Sequence, residues 1–454
     1  MITTAMAYSA IPLALLLFIY RRYSTSLLDP VALFCYLFVL TYLFRDIVIA
    51  LGFDSPYPDY LFVGSDVVAL LKRTSLDLSL FLVAFIGGTE IASRLSTLKS
   101  SWFAVLEEAP RRSRLVSLVR WLTTASTVIT IALAAKFGGP VGMIRALKVN
   151  KDFAGLPLLR AVPAIGAVVS TVLLIDAIGS RGTRGGRKLI TTAFAATIAN
   201  ATFVFLWGSR SVAILCLLTF FGGLFVAAPR AARSGRNRRH KALVLLVICL
   251  VVSIVGLRLV RDTLLTGEVL RPLAGETPVR KVSVALDSVQ FDAFLLAERD
   301  WPSQYPYRGP EDLVNGVGAI VPRLLWPTKP LVVSVGSWFR QVYQPGIING
   351  WPVGAAGEWY LAFGRLGIAL AGGLAGAIYL SLTRAAARLP FHSWNFAMLT
   401  ILALVVFPLG ITAQTPIRIA TWIVPLALAS RYLEHRRAGQ AGYASLRPLP
   451  IDSR

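Results

Sequence analysis

The residues best suited to chemistry in this sequence are acids and arginines gathered in and around one polar stretch, 261–367. Its carboxylates are Asp262, Glu268, Glu276, Asp287, Asp292, Glu298, Asp300, Glu311, Asp312 and Glu358. A carboxylate held beside an acceptor hydroxyl can take its proton during group transfer. Glu358 is the sharpest candidate, because it stands where the stretch re-enters apolar sequence, in Gly357-Glu358-Trp359-Tyr360-Leu361-Ala362-Phe363-Gly364-Arg365-Leu366-Gly367; Asp287 and Asp292 follow it. The plain alternative for Glu358 is an acid favoured by the dipole in the first turn of a helix, and for the others simple solvation. Arg258 and Arg261 lie three apart and share a helix face, and Arg210 sits in a tight turn between apolar runs. Together they could chelate the pyrophosphate of a polyprenyl-linked substrate in bidentate fashion. Singly, each could snorkel to lipid phosphates.

The elements that must position these groups are apolar. The chain has 454 residues, 56% hydrophobic and 15% charged, with a mean hydropathy of +0.66. That composition points to a polytopic membrane protein and away from an ordinary soluble domain. The net charge of +23 would suggest nucleic acid in a soluble chain. Here most basic residues fall in short segments between apolar runs, which is how positive-inside topology reads. Cys35, Cys216 and Cys249 all lie in apolar segments, as small hydrophobes and not as a disulfide or zinc framework.

Eleven stretches approach the length of a span, near residues 5–20, 31–51, 76–93, 115–137, 159–179, 189–207, 211–228, 242–259, 361–383, 393–411 and 416–431. The expected fold is therefore an all-α polytopic bundle, a single integral-membrane domain over 1–454, with a large extracytoplasmic loop region, 261–357, between spans eight and nine. Arg21 and Arg22 follow the first apolar run, so that run reads as a retained span and not a signal peptide. With the N-terminus outside and the C-terminus cytoplasmic, every dense basic cluster falls on the cytoplasmic side. Within the long outer segment Val282, Leu286, Val289, Ala293 and Leu296 recur at helical spacing, predicting an amphipathic helix that lies on the membrane or caps the bundle.

Arg45-Asp46 falls within span two, where a charge faces a partner or a water-filled cavity, or the two neutralise each other. His240, His392 and His435 all fall on the cytoplasmic side, which leaves no imidazole outside for base or metal work. The cytoplasmic loops offer no carboxylate pair for a nucleotide sugar's Mg²⁺. Arg181-Gly182-Thr183-Arg184-Gly185-Gly186-Arg187-Lys188 lacks the spacing of a phosphate loop.

The run from Gly208-Ser209-Arg210, through Val321-Pro322-Arg323-Leu324-Leu325-Trp326-Pro327-Thr328-Lys329-Pro330, to Gly357-Glu358-Trp359-Tyr360-Leu361-Ala362-Phe363-Gly364 and Gly367 resembles the bacterial oligosaccharide repeat-unit polymerases of the O-antigen polymerase (Wzy) type. Ala362 stands where that family typically has Asn. The resemblance implies a GT-C-like, metal-independent glycosyltransferase of the cytoplasmic (inner) membrane, with no cofactor. Its donor would be a glycan on polyprenyl pyrophosphate and its acceptor a single lipid-linked repeat unit. Membrane lipids, a chain-length regulator and a flippase would be partners, and nucleic acid would not. It further implies substrate contacts at Arg210, Arg258, Arg261, Arg323 and Tyr360, and Arg45, Lys329 and Arg340 are further substrate-binding candidates. The base stays open between Glu358, Asp287 and Asp292. A related O-antigen ligase or other lipid-sugar transferase, and a lipid or polysaccharide transporter, are the alternative readings; paired repeats or broken helices in two halves would mark the transporter.

Overall fold

The apolar runs fold as helices, and every regular element among the described residues is helical. The computed structural model describes residues 2–95, 112–146, 157–179, 185–206, 210–227, 280, 288–318, 320–321, 326, 334–346, 350–388 and 393–434. Among the described residues six helices are long and apolar enough to cross a membrane: Ala5–Tyr23, Pro30–Ala50, Arg112–Lys136, Ala161–Gly179, Gly186–Leu206 and Gly354–Arg388. Ten of the eleven expected spans fall on described helices. The eighth, 242–259, lies outside the described residues.

In chain order the elements are α1 (Ile2–Tyr23), α2 (Pro30–Ala50), α3 (Val67–Arg94), α4 (Arg112–Lys136), α5 (Pro140–Arg145), α6 (Pro157–Gly179), α7 (Gly186–Leu206) and α8 (Arg210–Ala227). The outer segment supplies α9 (Val289–Asp300), α10 (Glu311–Gly318) and α11 (Val335–Tyr343). Three more follow: α12 (Gly354–Arg388), α13 (Ser393–Val406), and α14, which runs from Thr415 through a π-helical Ile419–Ile423 into Val424–Glu434.

Two large apolar cores hold the bundle among the described residues. One joins α1, α2, α3, α9, α11 and α12 around Phe34, Phe38, Tyr42, Phe81, Phe85 and Tyr379. Phe34 stacks on Phe85 with centroids 4.3 Å apart and meets Tyr379 at 5.0 Å. The other joins α4, α6, α7, α8, α13 and α14. Helices α3 and α12 touch backbone to backbone: a Cβ at Gly376 would lie 2.0 Å from the Phe85 carbonyl oxygen, and one at Gly372 would lie 2.1 Å from that of Phe81. Small residues allow such an approach, and dispersion over the closed interface is its reward. Gly376→Ala is expected to cost about 1–3 kcal/mol by overpacking, read as a lower melting midpoint in detergent. Gly87→Ala, which meets open space on α3, is the control and should melt as wild type.

The long helix α12 is not continuous. At Gly364 the backbone turns to φ 62° and ψ −144°, a left-handed φ that suits glycine. The break frees two carbonyls, and the outer segment fills them: Arg308 N donates to Leu361 O at 2.9 Å and Gly309 N to Ala362 O at 3.0 Å. Irregular backbone within a bundle is tolerated when protein groups re-satisfy it in this way. The Gly357 to Gly367 run is thus the sequence of a broken helix entry.

The expected amphipathic helix corresponds to α9, and its setting differs from a surface helix. Phe291 to Ala297 are buried on all sides among α2, α3 and α12, along with Glu298 and Asp300. A short helix can be buried all round when its polar side chains find partners. Asp292 finds Arg45, Glu298 finds Thr74, and Asp300 finds Arg299 and Tyr343. Val282 and Leu286 lie outside the described residues.

Candidate functional site

At one end of the bundle the segments 51–66, 288–318, 334–346, 350–353 and 407–414 converge. Beneath them lies a cavity of about 560 Å³, within the range of small-ligand sites. Its walls come from α2 (Leu37, Thr41), α9 (Gln290), the start of α11 (Ser334, Ser337), the start of α12 (Gly354, Glu358), the end of α13 and the turn after it (Leu404, Leu409) and the start of α14 (Gln414, Arg418). Among the described lining residues Glu358 is the one acid and Arg418 the one base.

Local structure aims both groups inward. Glu358 lies in the second turn of α12, and its Oε2 accepts the Ala413 N–H at 3.0 Å. That bond fixes the carboxylate and leaves Oε1 uncommitted among the described residues. Arg418 donates from Nη2 to Gln414 Oε1 at 2.9 Å, while its Nη1 is buried without a hydrogen-bond partner among the described residues. The two feel each other's charge without closing an ion pair. A buried guanidinium nitrogen left without a partner is costly.

Backbone features reinforce this. Three helices begin at the cavity: α11, capped by Ser334, whose Oγ accepts the Ser337 N–H at 3.2 Å; α12 at Gly354; and α14 at Thr415. Helix N-termini present N–H groups and partial positive charge, a setting for an anion. Val39–Leu43 and Leu402–Val406 are π-helical and belong to wall helices, as does Ile419–Ile423 in α14. Such widened turns are frequent at functional sites. Leu409, in the wall, adopts φ 60°, a conformation costing about 1–3 kcal/mol for a non-glycine residue. Tyr379 helps to hold it, its hydroxyl accepting the Leu409 N–H at 3.3 Å and donating to the Ala403 carbonyl at 2.6 Å.

The other expected residues separate into distinct surroundings. Tyr360 is buried on a different face of α12 from Glu358; its hydroxyl takes a bond from Arg73 Nη2 at 2.8 Å and donates to Trp301 O at 2.9 Å. Arg45 does not pair with Asp46. Its Nε meets Asp292 Oδ2 at 3.0 Å, Nη1 meets Asp54, and Nη2 meets Ser55 O at 2.8 Å. Arg280 Nε joins Asp54 at 2.9 Å. Burial pushes the Asp54 carboxyl up, but Arg45 and Arg280 outweigh it and hold it below its ordinary 3.8. Asp292 is therefore clamped within a buried network that ties α2 to α9, and neither it nor Arg45 lines the cavity. Arg340 donates to Gln344 Oε1 at 2.8 Å and covers the Trp351 ring at 5.1 Å. Arg210 is the first residue of α8. Asp287, Arg258, Arg261, Arg323 and Lys329 lie outside the described residues.

Arg418 is the residue that sequence reasoning passed over. The signal was present: it is an arginine at the outer end of the last expected span, the same departure from the positive-inside bias that singled out Arg258 and Arg261.

A second charged cluster sits beside the helix break. Glu298 Oε2 accepts from Thr74 Oγ1 at 3.0 Å and lies 3.8 Å from Arg73 Nε, while Oε1 has no partner among the described residues. Burial, and then the charge of Asp77, push Glu298 well above the ordinary 4.5. An acid whose folded pKa is raised binds a proton on folding, so its contribution is fully present below about 4.5 and is lost as pH rises towards the folded value. Glu298→Gln, which mimics the protonated form, should gain stability relative to wild type as pH rises from acid towards neutrality. Parallel melting curves across that range check it, and an unchanged difference between the two proteins would refute it.

Comparison with family models, with curated proteins and with solved structures gives no match for this chain, so the chemistry of the cavity is read from its own geometry.

Proposed function

We propose that this chain is a membrane-embedded, metal-independent glycosyltransferase that joins polyprenyl-pyrophosphate-linked oligosaccharide units into a polysaccharide, on the outer side of a bacterial cytoplasmic membrane. The observation that carries the reading is the cavity lined by Glu358, with one oxygen uncommitted among the described residues, by Arg418 and by three helix N-termini. In this reading Arg418 and the N-termini hold the pyrophosphate and stabilise the charge that develops on it as it leaves. Glu358 takes the proton of the acceptor hydroxyl. The bond from that oxygen to the anomeric carbon forms as the bond to the phosphate oxygen breaks, and polyprenyl pyrophosphate departs with the electron pair.

The orientation follows from charge. The end away from the cavity gathers Arg21, Arg22, Arg94, Arg384 and Arg388 at helix ends, which supports placing it in the cytoplasm. The test is reconstitution of the purified chain in liposomes with polyprenyl-pyrophosphate-linked oligosaccharide, with product length read by gel and mass spectrometry. New glycosidic bonds and a ladder of lengths are expected. Movement of the lipid-linked oligosaccharide across the bilayer with no new bond would replace this reading with a transporter.

A further inference from the structure

The cluster beside the helix break also faces outward, through the part-exposed side chains of Arg73 and Arg365. Arg365 Nε pairs with Asp77 at 2.9 Å, its side chain 59% exposed above a carboxylate 4% exposed. Arg73, 39% exposed, donates from Nη2 to the Tyr360 hydroxyl at 2.8 Å, and its Nε lies 3.8 Å from the fully buried Glu298 carboxylate. Both guanidiniums lie within electrostatic reach of both carboxylates. They are thus anchored from inside, and Arg73 Nη1 and both Nη atoms of Arg365 have no protein partner among the described residues. Buried carboxylates that fix two outward guanidiniums make a preorganised pair, whereas a snorkelling arginine must give up its freedom on binding.

The level of the pair is equally specific. From Arg73 to Arg94 on α3 is about 32 Å of helix, and from Arg365 to Arg388 on α12 about 35 Å, each close to the thickness of a hydrocarbon core, roughly 30 Å. The arginines therefore mark the two boundaries of the same pair of helices. Between them the outward face is apolar: Leu366, Leu370 and Leu374 recur every fourth residue on α12, with Leu366 67% exposed, and Val83 and Ile91 are exposed on α3.

We infer that Arg73 and Arg365 form a lateral binding site for an anionic phospholipid, its phosphate held between the two guanidiniums and its acyl chains lying along α3 and α12. Charge complementarity selects the headgroup, and the apolar face below selects a lipid over a soluble anion. The site is separate from the cavity and does not depend on its chemistry.

The test uses the full-length protein, purified and delipidated in neutral detergent, offered phosphatidylglycerol or phosphatidylcholine, with bound lipid counted by native mass spectrometry. Wild type should retain phosphatidylglycerol in preference. Arg365→Gln combined with Asp77→Asn removes the guanidinium together with the buried charge it covers, and should cut the preference about fivefold. Leu366→Glu places a negative charge on the residue next to Arg365, at an exposed position, and should do likewise, whatever the double variant does to folding. Equal retention of the two lipids by wild type, an undiminished preference in Leu366→Glu, or full displacement of phosphatidylglycerol by inorganic phosphate would overturn the inference.

Discussion

Replacing Glu358 with glutamine is expected to reduce glycan polymer by about 10²–10⁴-fold, the range that a positioned general base supplies, while single lipid-linked units persist and the protein still reaches the membrane. Glutamine preserves the shape of the side chain and an oxygen to accept the Ala413 N–H. It cannot take a proton at neutral pH. A merely structural Glu358 predicts the opposite pattern: glutamine would support polymer growth, and only Glu358→Ala, which abandons the Ala413 bond, would fail through lost stability. Arg418→Ala should also abolish growth without unfolding the chain, because among the described residues its guanidinium gives up one hydrogen bond, to Gln414 within its own helix turn, and Nη1 has none to lose. The measurement is product length from reconstituted liposomes, beside a melting curve for each variant. Polymer of normal length from Glu358→Gln would remove Glu358 from the chemistry.

The helices and the polar end that presents the cavity were legible in the sequence, because apolar length and the 3.6-residue period carry that information locally. The Gly357 to Gly367 run was legible as a special place for the same reason, since acid, aromatic and glycine residues interrupt an apolar run. Its two candidate side chains, however, were read as one site. Glu358 and Tyr360 are two residues apart, which turns them to different sides of a helix, and the structure puts one in the cavity wall, bonded to the Ala413 N–H, and the other against Arg73. Partner choice was the illegible part. Arg45 is adjacent in sequence to Asp46 yet binds Asp292, 247 residues away, and Asp54. No local pattern encodes such a pairing; it follows from burying α9 among α2, α3 and α12, and from the cost of leaving a charge there unpaired. The helix break at Gly364 was likewise invisible as a break, because it is stabilised by backbone donors from Arg308 and Gly309 and not by the glycine alone.

Arg45→Leu is the substitution expected to damage the fold most. Arg45 is fully buried, and its three donor groups serve Asp292, Asp54 and the Ser55 carbonyl at once. Removing it strands the Asp292 carboxylate inside the bundle, a loss of about 3–5 kcal/mol for one half of a buried pair. Asp54 keeps Arg280, so the damage should centre on Asp292 and on the docking of α9 against α2. Arg45→Lys should recover little, because one ammonium on a flexible stem cannot span three fixed acceptors. Pairing Arg45→Leu with Asp292→Leu should restore much of the stability, since an apolar replacement of a whole buried pair is often close to neutral. Melting midpoints of the two single variants and the double variant, arranged as a cycle, measure the coupling directly. A single Arg45→Leu variant that melts with wild type would show that the network contributes nothing. Because α2 and α9 both wall the cavity, through Leu37, Thr41 and Gln290, the same variant should lose activity before it unfolds, and the double variant should regain stability first and activity only as far as α9 returns to its place.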